Sequence, residues 1–337
     1  MTKSVLVTGG TGYVAGWVIA ELLNRGYAVR TTVRSMNRAE AVRSAVATDD
    51  APLSFVVADL GADDGWDEAV AGMDYVLHVA SPMGGTGDLV APARDGTLRV
   101  LLAATAAGVE RVVMTSAANA ASPSSYTEEG VTDETLWTDP DDPTLIPYRR
   151  SKTVAEKAAW DFMAAYDGPT TLTTILPGAV FGPLLSAGNL GSVTIVQRLL
   201  SGAMPGTPRI GLEVVDVRDL ADIHLRAMTS PAAAGERFLA TGEFVWMRDM
   251  AATLRSNLGA AGARVPTRDL PDFAVKAFAL IDKPLRAITV SLGRRNQHST
   301  DKAKRLLGWV PRPAAATVLD CGRSLIAWNL VNRRTLK

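Results

Sequence analysis

Short apolar runs recur along the first 180 residues, and glycine-rich or polar breaks separate them from stretches with helical spacing. Val5-Leu6-Val7 reads as a strand buried on both faces, because a strand wetted on one face would alternate apolar and polar residues. Trp17, Val18, Ala20, Leu22 and Leu23 then give an amphipathic helix that Arg25-Gly26 stops. The same succession predicts strands over 28–33, 55–58, 75–79, 112–115 and 171–176. Helices are predicted over 38–46, 98–107 and 148–166, the last closed by Asp167-Gly168-Pro169. Strands alternating with helices imply right-handed βαβ units. The expected class is therefore α/β, a Rossmann-type doubly wound parallel sheet with a smaller, mostly helical C-terminal substrate lobe. The pattern changes after Pro177-Gly178, so residues 1–178 are read as the first domain with 210–240 returning to it, and 179–209 with 241–337 as the second lobe.

Composition narrows the function classes. At 337 residues the chain exceeds one ordinary core, which agrees with two units. Thirty-five basic residues balance 35 acidic ones, so no bulk charge draws the protein to nucleic acid or to a membrane surface. The single cysteine, Cys321, excludes an internal disulfide framework and fits a reducing compartment. The first apolar run is brief and better used as a strand than as a signal peptide, and no apolar stretch reaches the roughly 20 residues of a membrane span. A cytoplasmic location is expected.

The first strand feeds Thr8-Gly9-Gly10-Thr11-Gly12 and then a helix. A helix N-terminus offers unpaired N–H groups and the positive end of its dipole, and glycines let a pyrophosphate approach the backbone. Two spacings fit a dinucleotide turn, Gly10-x-Gly12-x-x-Ala15 and Gly9-x-x-Gly12-x-x-Ala15. An acidic residue at the end of the second strand would bind a ribose 2′-hydroxyl, whereas arginine accommodates a 2′-phosphate. Arg34 stands there and Arg38 follows four residues on, which favours NADPH/NADP.

Tyr148 and Lys152, four apart at a helix start, share one face. Carbonyl reduction needs a hydride donor on one side and a proton donor at the oxygen. A free phenol has a pKa of about 10, and a neighbouring ammonium favours its ionised form. Tyr148 is therefore the candidate proton donor and Lys152 its tuning partner.

Taken with Ala58-Asp59-Leu60, His78-Val79-Ala80-Ser81-Pro82-Met83, Asp95-Gly96-Thr97, Thr115-Ser116, Leu176-Pro177-Gly178 and Asp216-Val217-Arg218-Asp219, these pieces run in the order of a known family. Over about the first 230 residues the chain resembles the extended short-chain dehydrogenase/reductase family, in its dihydroflavonol-4-reductase-like branch of aldehyde and ketone reductases. The resemblance implies cofactor contacts from Gly9, Gly12, Tyr13, Val14, Arg34, Arg38, Asp59, Leu60, Val79, Ala80, Ser81 and Pro177, and from Tyr148 and Lys152, the latter at the nicotinamide ribose. Asp59 reads equally as an adenine contact or as a cap before Gly61. The resemblance also implies a small-molecule carbonyl substrate and a monomer or homodimer.

In one respect the chain departs from that pattern. Where family members carry a serine that meets the substrate carbonyl, this chain has Ala117. Ser116 is the candidate replacement, with Thr115 and Asn119 as stand-ins. Met83 is placed to line the substrate cleft, His78 reads as a core residue beside the cofactor, and Trp137, Trp160, Trp246 and Trp309 read as core. His224 and His298 show no ligand spacing, so no metal site is expected. Two other readings share the fold: a nucleotide-sugar epimerase or dehydratase, against which Arg34 counts, and a non-catalytic NADP-binding sensor, to which Ala117 lends support.

Overall fold

The computed structural model describes residues 2–46, 51–82, 89–123, 130–188, 190–280, 286 and 289–331. Met83 lies outside them. Among the described residues, β1 (Ser4–Val7), β2 (Ala28–Val33), β3 (Leu53–Val57), β4 (Tyr75–His78) and β5 (Arg111–Thr115) join two later strands in one seven-stranded sheet. A short strand, β6 (Gly130–Thr132), lies apart, and β7 (Thr171–Pro177) continues the main sheet. Next come β8 (Ala179–Phe181), β9 (Thr207–Pro208) and β10 (Gly211–Asp216), and β11 (Arg237–Ala240) then closes one edge. The order is β11-β7-β5-β4-β1-β2-β3, with every pairing parallel. The chain winds outward from β1 to β3 and returns to β4, so the crevice at the carboxyl ends of β1 and β4 is where a doubly wound sheet binds ligands.

Alternation along β1 explains its apolar run. Val5 and Val7 enter one core layer and Leu6 the opposite one, all three fully buried. Helices cover both faces: α1 (Tyr13–Asn24) on the first, and α4 (Val90–Ala106) and α5 (Pro147–Ala164) on the second, with α2 (Ala39–Val46) and α3 (Trp66–Val70) between α1 and α4 in the chain. α4 begins eight residues before the predicted start. Pro92 hid it from a pattern reading, yet sits in the first turn, where no intrahelical N–H bond is lost. α5 starts with Pro147 for the same reason, which places Tyr148 in its first turn.

A second core gathers α6 (Val193–Leu200), α8 (Met247–Asn257) and the helix Ala314–Ala327 around β8, β10 and β12 (Phe244–Trp246). β8 and β10 run parallel, and β12 pairs antiparallel to β10. Of the segment 210–240, β10 belongs to this smaller sheet, whereas α7 (Val217–Thr229) packs on the main sheet and β11 extends it. Asp216 ties the two: its carboxylate caps α7 through the Arg218 amide at 2.9 Å and accepts from the Arg218 guanidinium at 2.8 and 2.7 Å. Arg218 also reaches Asp320 at 2.7 Å in the last helix. The Asp216–Asp219 motif is thus a brace between layers. Among the described residues no helix is long and apolar enough to cross a membrane.

Candidate active site

A cavity of about 960 Å³ opens at the carboxyl ends of β1 and β4 and runs beneath the second lobe. Its first end is built on the glycine turn. Gly9 has φ +75°, and a Cβ there would lie 2.9 Å from that of Ala80, so only glycine fits. This selects the Gly9-x-x-Gly12-x-x-Ala15 spacing, while Gly10 serves close packing against Thr31, 2.5 Å from a Cβ built there. The Gly9 and Gly10 amides donate to Thr32, to its hydroxyl at 2.8 Å and its carbonyl at 3.0 Å. Gly12 enters α1 in an extended conformation with no side-chain cap. The first-turn N–H groups, which a helix cannot satisfy internally, therefore face the cavity that Gly12, Tyr13 and Val14 line.

Other predicted cofactor contacts fall on the same wall. Arg34, exposed, lines the cavity beyond β2, and Asp59, Leu60, Val79, Ala80, Ser81 and Pro177 line it as well. Arg38 does not: it lies exposed in the short turn Met36–Arg38, outside the lining. Asp59 accepts the Gly61 amide at 2.8 Å, so one carboxylate oxygen shapes a local turn rather than capping a helix, the next helix, α3, beginning only at Trp66. His78 is core, its Nδ1 3.0 Å from the Thr8 hydroxyl, which itself accepts the Ala80 amide at 2.9 Å. Burial, aided by the charge of Lys152, pushes His78 down to about 3.

At the far end of this wall, α5 presents Tyr148 and Lys152 to the cavity. Lys152 is buried and donates to the Thr115 carbonyl at 3.3 Å. Desolvation pushes its ammonium down to about 8, with Glu156 opposing the shift. Burial pushes the Tyr148 phenol up from its ordinary value. Desolvation thus acts on the phenol against the ammonium effect expected from sequence and disfavours its ionised form.

The hydroxyls after β5 are largely committed to the interior. Ser116 donates to Glu156 Oε2 at 2.6 Å, and the fully buried Glu156 also accepts from Thr174 at 2.8 Å and from the Arg237 guanidinium at 2.9 Å. Ser116 lines the cavity as well, with its hydroxyl bonded to Glu156. Thr115 is engaged too, its hydroxyl 2.7 Å from His224 Nε2, whose Nδ1 donates to the Leu220 carbonyl at 2.7 Å. His224, fully buried, is pushed down to about 4. Ala117, extended and buried, and Asn119 line the cavity.

Sequence reasoning missed the opposite wall. Glu213, Arg294, Asn296 and His298 line it together with Ser122. The strand β14 (Asn296–His298) pairs with β6 and brings His298 Nε2 to 2.9 Å from the Ser122 hydroxyl, 176 positions away in sequence. His298 Nδ1 meets Glu213 Oε2, and its amide donates to Glu213 Oε1 at 2.7 Å. No local spacing could have signalled these pairings. Among the described residues no group of three or more His, Cys, Asp or Glu could hold a metal.

Residues 5–240 match the model of the NAD dependent epimerase/dehydratase family. A ketoreductase from Aspergillus niger, azaE, is 34% identical over 298 residues, covering 81% of this chain and 87% of that one. A dihydroflavonol 4-reductase from Zea mays is 32% identical over 282 residues, covering 80% and 76% respectively. Among solved structures, Gre2 from Candida albicans in complex with NADPH superposes with a TM-score of 0.80 at 27% identity, covering 98% of this chain and all of that one. By the family match and by these relatives, the chain belongs to the NAD dependent epimerase/dehydratase family, in the extended short-chain dehydrogenase/reductase branch that includes dihydroflavonol 4-reductase.

Proposed function

We propose that the protein is an NADP-dependent oxidoreductase that reduces an aldehyde or ketone to an alcohol, with Tyr148 as proton donor and Lys152 as its partner. The observation that carries this reading is the continuity of one cavity from an uncapped helix N-terminus and an exposed arginine to a half-buried phenol and a buried ammonium. The α1 amides suit a pyrophosphate, and Arg34 suits a 2′-phosphate better than a bare ribose. Similarity to a ketoreductase, and to a Gre2 that binds NADPH, supports the same reading.

The residues fit that cofactor: Gly9 clears the backbone, the glycine turn leaves donors pointing outward, and Lys152 lies within reach of the cavity. When bound, the reduced nicotinamide supplies a hydride to the carbonyl carbon. Tyr148, whose ionised form desolvation disfavours, delivers its proton to the oxygen. Lys152, held on the Thr115 carbonyl, places positive charge beside the phenolate that remains and so stabilises it.

Purified protein supplied with NADPH and a panel of aromatic aldehydes and β-keto esters is expected to bleach the reduced-cofactor absorbance and release the alcohol. Tight NADPH binding with no turnover on any carbonyl would instead make the protein a sensor.

A further inference from the structure

We propose that Ser122, braced by His298 and Glu213, is the hydroxyl that meets the substrate carbonyl in place of the serine that Ala117 lacks. The proposal rests on the carbonyl-reductase reading above. Elimination carries its first part: Ser116 and Thr115 also line the cavity, but the Ser116 proton goes to Glu156 and the Thr115 hydroxyl is engaged by His224, and Ala117 has no donor, which leaves Asn119 and Ser122. Ser122 lines the cavity with Tyr148, just after the short turn Ala118–Ala121.

Its surroundings carry the second part. The Ser122 hydroxyl lies 2.8 Å from the Ala118 carbonyl and 2.9 Å from His298 Nε2. Glu213 engages both the side chain and the amide of His298, which fixes the ring and gives Nδ1 the proton. Nε2 then faces Ser122 as an acceptor, so the one Ser122 proton is held between the Ala118 carbonyl and His298 and turns from them to reach a carbonyl oxygen in the cavity. Arg149 holds the backbone of this segment, donating to the Ser122 carbonyl at 2.7 Å and the Asn119 carbonyl at 3.1 Å. The same wall carries the Asn296 amide nitrogen, buried and without a hydrogen-bond partner, a donor directed to a polar ligand atom rather than to protein.

The experiment compares steady-state turnover and NADPH binding in four variants. Ser122→Ala is expected to lower kcat on the order of a hundredfold, the loss typical of one oxyanion-type donor, with NADPH affinity unchanged. Adding Ala117→Ser to that variant is expected to restore kcat at least about tenfold, because it returns a hydroxyl to the family position. His298→Gln is expected to reduce kcat with little change in KM, as befits a positioning residue. Ser122→Thr keeps the hydroxyl and is expected to retain most activity. The proposal is overturned if Ser122→Ala keeps wild-type kcat, if Ser122→Thr loses as much as Ser122→Ala, or if Ala117→Ser restores nothing. Tyr148→Phe separates the two levels: its full activity would sink the reductase reading, whereas an inactive Tyr148→Phe beside an active Ser122→Ala would sink only this inference.

Discussion

The two ends of the cavity are built in opposite ways. At the nucleotide end, a contiguous strand, glycine turn and helix create the site from the backbone, and Thr8, Thr31 and Thr32 lock that turn to β2 and β4. At the substrate end, side chains from β5, α5, β10 and β14 converge across as many as 176 positions. A backbone site tolerates change in its neighbours so long as the glycines remain, whereas a side-chain site can lose a member and recruit another from a distant segment. On the proposal above, Ala117 in a cavity that also holds Ser122 and His298 would be that second behaviour.

Two tests can break this contrast, beginning with the larger effect. A neutral buried histidine underlies each end, His78 beneath the turn and His224 beneath Thr115. Their folded values, about 3 and about 4, lie below the ordinary 6.5. The unfolded chain therefore binds protons that the folded one excludes, and stability falls as pH drops below 6.5. Each histidine contributes about 1.4 kcal/mol per pH unit until its folded value is reached. Urea unfolding at pH 7 and pH 5 should reveal a combined loss of about 4 kcal/mol, and the loss should shrink in His224→Gln. Equal stability at both pH values would mean that the histidines are not buried as described.

The smaller effect concerns the nucleotide end alone. Arg34→Asp is expected to weaken NADPH by about 2 kcal/mol, some thirtyfold, while leaving NADH nearly untouched. Isothermal titration with each cofactor measures both. A parallel loss for NADPH and NADH would show that Arg34 supports the turn rather than reads the phosphate.

The same contrast explains what was legible in the sequence. The strand–turn–helix start, the parallel sheet and the Tyr148–Lys152 pair could be read because each depends on residues a few positions apart. Arg38, expected as a cofactor contact from the resemblance, lies in the short Met36–Arg38 turn outside the lining, which its place four residues after Arg34 could not show. Ser116 lines the cavity, but its place next to the family position could not show that its hydroxyl is bonded to the buried Glu156. His298 looked inert because its partners, Glu213 and Ser122, lie 85 and 176 residues away. The Asp216–Asp219 motif was recognised as a family mark, but its structural work, joining α7 to the last helix through Arg218 and Arg312, shows only in three dimensions.

The central claim is that the Tyr148 phenol supplies the proton. Turnover of Tyr148→Phe against wild type, on a carbonyl that the wild type reduces and with NADPH affinity measured in parallel, tests it most directly. A fall in kcat of at least about a thousandfold at unchanged NADPH affinity is predicted. Near-wild-type kcat in that variant would contradict the account.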